Sequence, residues 1–175
     1  MRKVLYILGQ LTDQDVDWLA QAGEPVRFAS GDLVIREGTR LDRIFIVLDG
    51  ELAVAVRGKE IARVGSGDIL GEMSLVDHSP TSASVKAIGD SRALAVPRAA
   101  VQGRLDRDPA FAARFYKAIA IFLADRMRNT LSRFGYGDAV PEDLEVRADE
   151  LDANVLDTVH LAGGRFERLL KKLNG

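Results

Sequence analysis

Between residues 26 and 96 the chain is written in short apolar runs divided by glycine and Asp-Gly signals, a pattern that predicts strands and turns. Leu33-Val34-Ile35 lies between Gly31 and Gly38. Ile44-Phe45-Ile46-Val47-Leu48 runs into Asp49-Gly50, and Leu52-Ala53-Val54-Ala55-Val56 follows that turn. Arg57-Gly58-Lys59 makes another turn before Ile61-Ala62-Arg63-Val64, and residues 82–88 and 92–96 supply two more strands. Taken alone, this part reads as an all-β barrel or sandwich.

On both sides the period lengthens to that of a helix. Val16, Leu19 and Ala20 recur at helical spacing over residues 13–22, with Thr12 as N-cap and Gly23-Glu24-Pro25 as the stop. Pro97 and Pro109 punctuate a return to helix. Over residues 110–134 a long stripe of Phe111, Phe115, Ile119, Phe122, Met127, Leu131 and Phe134 follows, with Arg114, Lys117, Asp125, Arg128 and Arg133 elsewhere on the surface. Gly135-Tyr136-Gly137 stops it. The stripe is longer than a small β domain needs for its own cover.

Residues 138–175 begin acidic, with Glu142, Asp143, Glu145, Asp149, Glu150 and Asp152, and end basic, with Arg165, Arg168, Lys171 and Lys172. Leu151, Val155, Val159 and Ala162 make one apolar stripe, and Phe166, Leu169, Leu170 and Leu173 make another after Gly163-Gly164. Two short helices are expected. Internal repeats and low-complexity tracts are absent from the sequence.

Composition narrows the chemistry. A chain of 175 residues, 47% apolar and 29% charged, has room for one domain with an appendage. Its net charge of −2 offers no electrostatic basis for binding nucleic acid or an anionic membrane. Cysteine is absent, which excludes disulfides, thiolate catalysis and cysteine-bound metal. The opening Arg2-Lys3 and short apolar run break at Gly9-Gln10 without a small-residue cleavage site, so the protein is expected to be cytoplasmic. Neither a nucleophile elbow, a P-loop nor a metal-binding His-Glu motif occurs, and no enzymatic activity is expected. The two histidines, His78 and His160, belong to no cluster with ligand spacing; a metal site is not expected, and His78 reads as an exposed loop residue.

The densest chemistry lies in Gly67-Asp68-Ile69-Leu70-Gly71-Glu72-Met73-Ser74-Leu75 and, after a short loop, Pro80-Thr81-Ser82-Ala83-Ser84-Val85. A glycine-framed turn enters one turn of helix carrying an acid, and a strand rich in small hydroxyl residues returns. Glycine admits close backbone approach, amides at a helix start attract an anion, and a carboxylate accepts from a ribose hydroxyl. The segment resembles the phosphate-binding cassette of the cyclic-nucleotide-binding domains of catabolite activator proteins, protein kinase A regulatory subunits and gated channels. The spacing of Phe28, Gly31, Gly38, Phe45-Ile46-Val47, Gly50-Glu51 and Val54 resembles the β-roll of the same family, so the likeness spans roughly residues 10–134.

The resemblance implies an α+β, mainly β fold: an eight-stranded antiparallel β-roll of jelly-roll type with an N-terminal helix, a long C-terminal dimerisation helix and a short helical tail. The expected division is residues 1–134 for the ligand-binding unit and 135–175 for the tail, a segment for a protein partner. It implies a ligand site of Gly71, Glu72, Met73, Ser74, Thr81, Ser82, Ala83, Asn129 and Thr130. Glu72 matches the acid that accepts from the ribose 2′-hydroxyl, and Asn129 and Thr130 fall where the family places polar groups against the purine. Thr81 departs from the pattern, since it stands where the family has the arginine that neutralises the cyclic phosphate. Loss of such a charged hydrogen bond costs about 2–3 kcal/mol, or roughly thirty- to a hundred-fold in affinity. Lys86, Arg126 and Arg128 are the cations that could replace it.

The expected function is a dimeric regulatory sensor for cyclic AMP, cyclic GMP or a related phosphorylated ligand, with no other cofactor, signalling to a protein partner. A ligand-free dimeric scaffold is the alternative. After Gly137 neither the strand pair of a wing nor a basic recognition helix is visible, so direct DNA binding is not expected.

Overall fold

Strand β3 (Arg43–Asp49) shows how the layers are arranged, because Ile44 to Leu48 are all buried, alternate side chains going to opposite faces. Phe45 and Val47 join one apolar cluster, Ile44, Ile46 and Leu48 another. A strand covered on both faces must lie in the middle layer of three. The computed structural model describes residues 4–133 and 153–174, with side chains from 7–128 and 160–174.

The described strands form two antiparallel four-stranded sheets. The middle sheet has the order β1-β8-β3-β6, with β1 at Glu24–Phe28, β6 at Ile69–Leu70 and β8 at Ser91–Pro97. The outer sheet has the order β2-β7-β4-β5, with β2 at Leu33–Ile35, β4 at Glu51–Val56, β5 at Lys59–Gly65 and β7 at Ser84–Ala87. Between them Phe45, Val47, Ala93 and Ala95 meet Ile35, Leu52, Val54, Val64 and Val85. Strand β4 keeps the simple alternation of a strand buried on one face only, Leu52 and Val54 being buried. Asp49-Gly50 makes the expected turn. Gly50 has φ 92, and a Cβ there would lie 2.7 Å from Ser91 Cα, so both conformation and space require glycine.

Helices cover the other face of the middle sheet: α1 (Val4–Gln10), α2 (Asp13–Ala22), α4 (Arg98–Arg107), α5 (Pro109–Arg133) and α6 (Ala153–Asn174). The short α3 (Glu72–Asp77) belongs to the cassette. Thr12 caps α2 in a capping box with Asp15. Asp15 is itself buried and binds two arginines: Arg104 Nη2 donates to Oδ1 at 2.7 Å, and Arg114 Nε to Oδ2 at 2.8 Å. The Arg104 guanidinium also stacks over Trp18 and Phe111, 4.6 and 4.2 Å from the ring centroids. Burial pushes the Asp15 carboxyl up, but the Arg114 and Thr12 hydrogen bonds more than reverse this, and it lies below the ordinary value.

Two expectations are corrected here. The α5 stripe is consumed within the chain: Phe111, Phe115, Ile119 and Phe122 all sit in the helix-side core. This part of the stripe is therefore core, and only Met127, 62% exposed, is an apolar side chain of the described stripe left uncovered. Leu131 and Phe134 lie outside the described side chains. The second correction concerns the tail. Instead of two helices broken at Gly163-Gly164, α6 is one helix passing through both glycines. Glycine costs about 1 kcal/mol in a helix interior, and tertiary contacts outweigh it. Ala162 and Leu169 are buried, and the basic side chains reach the acidic start of α2. Arg168 holds Asp17 through two 2.7 Å bonds, Lys172 lies 3.0 Å from Asp17, and Arg165 donates to Asp13 at 2.9 Å. Arg165 Nη1 also donates to the Leu8 and Gly9 carbonyls in the last turn of α1, at 3.2 and 3.0 Å. Residues 160–174 are thus docked against the N-terminal helices. The acidic stretch from Glu142 to Asp152 lies outside the described residues.

Candidate ligand pocket

Strand β6 delivers the cassette. Leu70 pairs with Phe45 and Ile69 with Ile46 on β3. The preceding turn is closed by Gly67 N–H to Val47 O at 2.6 Å and Gly65 N–H to Asp68 Oδ2 at 2.8 Å. Gly71 follows in the left-handed region with φ 86 and serves as N-cap of α3. A Cβ there would lie 2.5 Å from Leu41 Cδ2 and 3.1 Å from the Arg43 carbonyl, so this residue is fixed by backbone conformation and by the β2–β3 loop together. The first amides of a helix have no carbonyl four residues back, and in α3 these are the amides of Glu72, Met73 and Ser74.

Across from α3, the loop into β7 is tied to the segment after β2. Thr81 N–H donates to Thr39 O at 2.9 Å and Gly38 N–H to Thr81 O at 2.7 Å. The Thr81 hydroxyl accepts from Thr39 N–H at 3.2 Å and donates to the Arg36 carbonyl. Its single proton and a lone pair serve the backbone. Threonine here fastens a loop.

These elements enclose an open concavity of about 420 Å³, a volume partly shared with solvent. Gly71, Glu72, Met73, Ser74, Thr81, Ser82 and Ala83, expected from the sequence, all line it. Ile35, Val54, Leu70 and Val85 supply apolar lining, and Arg126 completes it from α5. The strand positions follow the alternation of β4 and β7, where Val54 and Val85 are buried. Lys86, the neighbour of Val85, is exposed and does not line the concavity, and neither does Arg128. The side chains of Asn129 and Thr130 lie outside those described.

Glu72 is 2% exposed although it is charged. Arg126 Nη1 donates to Glu72 Oε1 at 2.8 Å, and the guanidinium rests 4.6 Å above the Phe122 ring. Burial pushes the Glu72 carboxyl above its ordinary value; Arg126 and the residue's own amide pull it back, and Asp68 adds to the rise. The sequence named Arg126 as one of three cations without choosing among them. Its position is four residues beyond Phe122, so it continues the buried face of α5 by one turn.

His78 ends α3 with φ 61, its amide bonded to Ser74 O at 3.1 Å and its ring against the Arg98 guanidinium. It is exposed, as expected for a loop histidine. Among the described residues no group of three His, Asp or Glu side chains could hold a metal ion, and no helix is long and apolar enough to cross a membrane.

Residues 25–108 match the family model of the cyclic nucleotide-binding domain. A cGMP-dependent protein kinase of Toxoplasma gondii is 37% identical over 83 residues, which is 47% of this chain and 8% of the kinase. A CRP-like cAMP-activated global transcriptional regulator of Mycobacterium tuberculosis is 30% identical over 112 residues, 61% of this chain and 48% of the regulator. The chain thus spans a small part of the kinase and about half of the regulator. Among solved structures, a cyclic nucleotide-binding domain from Methylobacillus flagellatus superposes with a TM-score of 0.68 at 23% identity, covering 80% of this chain and 84% of that one. The two sheets, the glycine-framed cassette and these likenesses agree: residues 25–108, just under half of the chain, match the cyclic nucleotide-binding domain family.

Proposed function

We propose that the protein is a non-catalytic, cytoplasmic sensor that takes cyclic AMP, cyclic GMP or a related phosphorylated nucleotide into this concavity. The reading is carried by one observation. A buried carboxylate, Glu72, stands in a concavity with the start of α3 on one side and the loop of Thr81, Ser82 and Ala83 on the other. Glu72 accepts from the ribose 2′-hydroxyl, and the amides of Glu72 to Ser74 with Ser82 face the phosphate. The cGMP dependence of the kinase and the cAMP activation of the regulator, which this chain resembles, support the ligand class. The signal leaves through α5, which touches the site through Arg126, and reaches a protein partner. A homodimer rests on the part of α5 beyond Phe122, where Met127 is exposed; sedimentation at tens of micromolar tests it, and a monomer would remove that part of the proposal.

The second reading, a ligand-free scaffold, draws on Thr81, whose hydroxyl is engaged with the backbone and whose position lacks a cation. Calorimetric titration with cyclic AMP and cyclic GMP up to millimolar separates the two. Saturable binding that Glu72→Gln weakens supports the sensor; silence with both nucleotides supports the scaffold.

A further inference from the structure

The cassette provides no cation of its own, and Thr81 cannot substitute for one, because its hydroxyl fastens the Arg36–Thr39 turn. Arg126 is the one cationic side chain lining the concavity among the described residues. It comes from α5, outside the cassette, and its contacts include the Phe122 ring under its guanidinium and the Glu72 carboxylate at 2.8 Å. Both contacts suit a poised group. A guanidinium over an aromatic face keeps its in-plane N–H fork directed sideways, and a carboxylate holds it at the same end of the concavity where a ribose would meet Glu72. The side chain is 31% exposed and lines the concavity, so a ligand can reach it.

We propose that Arg126 supplies, from α5, the phosphate-neutralising charge that position 81 lacks, with Glu72 holding it in the ligand-free protein. This rests on the sensor reading and specifies it. The ligand must carry an anionic phosphate beside a free ribose hydroxyl, so that both members of the ion pair gain a new partner. The hydroxyl donates to Glu72, and the phosphate oxygen accepts from Arg126. A phosphate held in this way joins the cassette to α5 directly.

The test is titration of the wild type, Arg126→Gln, Arg126→Lys and Thr81→Arg with cyclic AMP and cyclic GMP, with adenosine as the probe that keeps the ribose and lacks the phosphate. The expected result is a ten- to hundred-fold loss of cyclic nucleotide affinity in Arg126→Gln, roughly the worth of a charged hydrogen bond, with most of it retained in Arg126→Lys. Adenosine binding should stay unchanged or tighten in Arg126→Gln, because Glu72 is released. A purely structural role for Arg126 would weaken both probes alike and overturn the proposal. So would unchanged or tighter cyclic nucleotide binding in Arg126→Gln, which would make the arginine a plug on Glu72. If Thr81→Arg binds and the wild type does not, the pocket reading stands and the role of Arg126 falls. If neither binds, both fall.

Discussion

Two carboxylates are buried almost equally, Asp15 under the helices at 1% exposure and Glu72 in the pocket at 2%, yet the protein treats them in opposite ways. Asp15 accepts from the Thr12 amide and from both Arg104 and Arg114, and its carboxyl is held below the ordinary value. Glu72 has the Arg126 guanidinium and its own amide, and burial leaves its carboxyl above the ordinary value. The first acid is completed by the fold. The second is buried at a cost that its contacts do not fully offset, beside a concavity that a ligand can fill. Burial of a charge alone therefore does not mark a site; incomplete compensation next to open space does.

The largest expected effect tests the structural half of this contrast. Asp15→Ala strands two arginines and removes the capping box of α2, so denaturant unfolding should show a loss of about 3–5 kcal/mol. A loss below about 1 kcal/mol would mean the network is not the fastening it resembles. Glu72→Gln should do the reverse, shifting unfolding by less than about 1 kcal/mol while cyclic nucleotide affinity falls by about 1.5–3 kcal/mol. Equal damage to stability from both substitutions would erase the distinction.

The pH dependence should separate the two acids by sign. The lowered Asp15 contributes stability that is present above its ordinary 3.8 and lost as pH falls through its folded value. The raised Glu72 binds its proton more readily in the folded state, so its ionisation subtracts stability as pH rises past 4.5. Unfolding free energies between pH 3 and 7 should therefore show wild type losing ground to Glu72→Gln on raising pH, and losing its advantage over Asp15→Asn on lowering it. Parallel curves would contradict the assignment. The smallest effect lies on the helical side. Nothing lies within 4 Å of a Cβ placed at Gly163 or Gly164, so Gly163→Ala and Gly164→Ala should each raise stability by about 1 kcal/mol. Ligand titration of these variants should match wild type; altered affinity would show that α6 and the pocket are coupled.

The sequence disclosed the strands well because Asp49-Gly50 and the other glycine turns carry local signals of their own. It disclosed Gly71 to Ser74 and Thr81 to Ala83 because a cassette is contiguous in the chain. It showed α2 through Thr12 and the stop after Ala22. What it hid depended on distant partners. Residues 4–10 read as a short apolar run, and become helix α1 with Ile7 and Leu8 in the core because α5 and α6 pack against it. The continuous apolar run in β3 is consistent with a strand covered on both faces, but does not name the cover of the second face. The glycine pair in α6 argued for a break that docking overrides. Arg126 was visible as a cation, but its choice over Lys86 and Arg128 needed the relative positions of α5 and β7.

The clamp of Arg165 on Leu8 and Gly9 joins residues 157 and 156 positions apart in the chain. Contacts so remote in sequence are among the last that a growing polypeptide can make. During synthesis α1 leaves the ribosome before α6, so α1 must wait without its partner while the strands between them pair. Truncating the chain before residue 165 should therefore leave a β-roll able to form and an N-terminal helix without its cover. The same clamp that closes the finished protein sets the order in which its two halves can be completed.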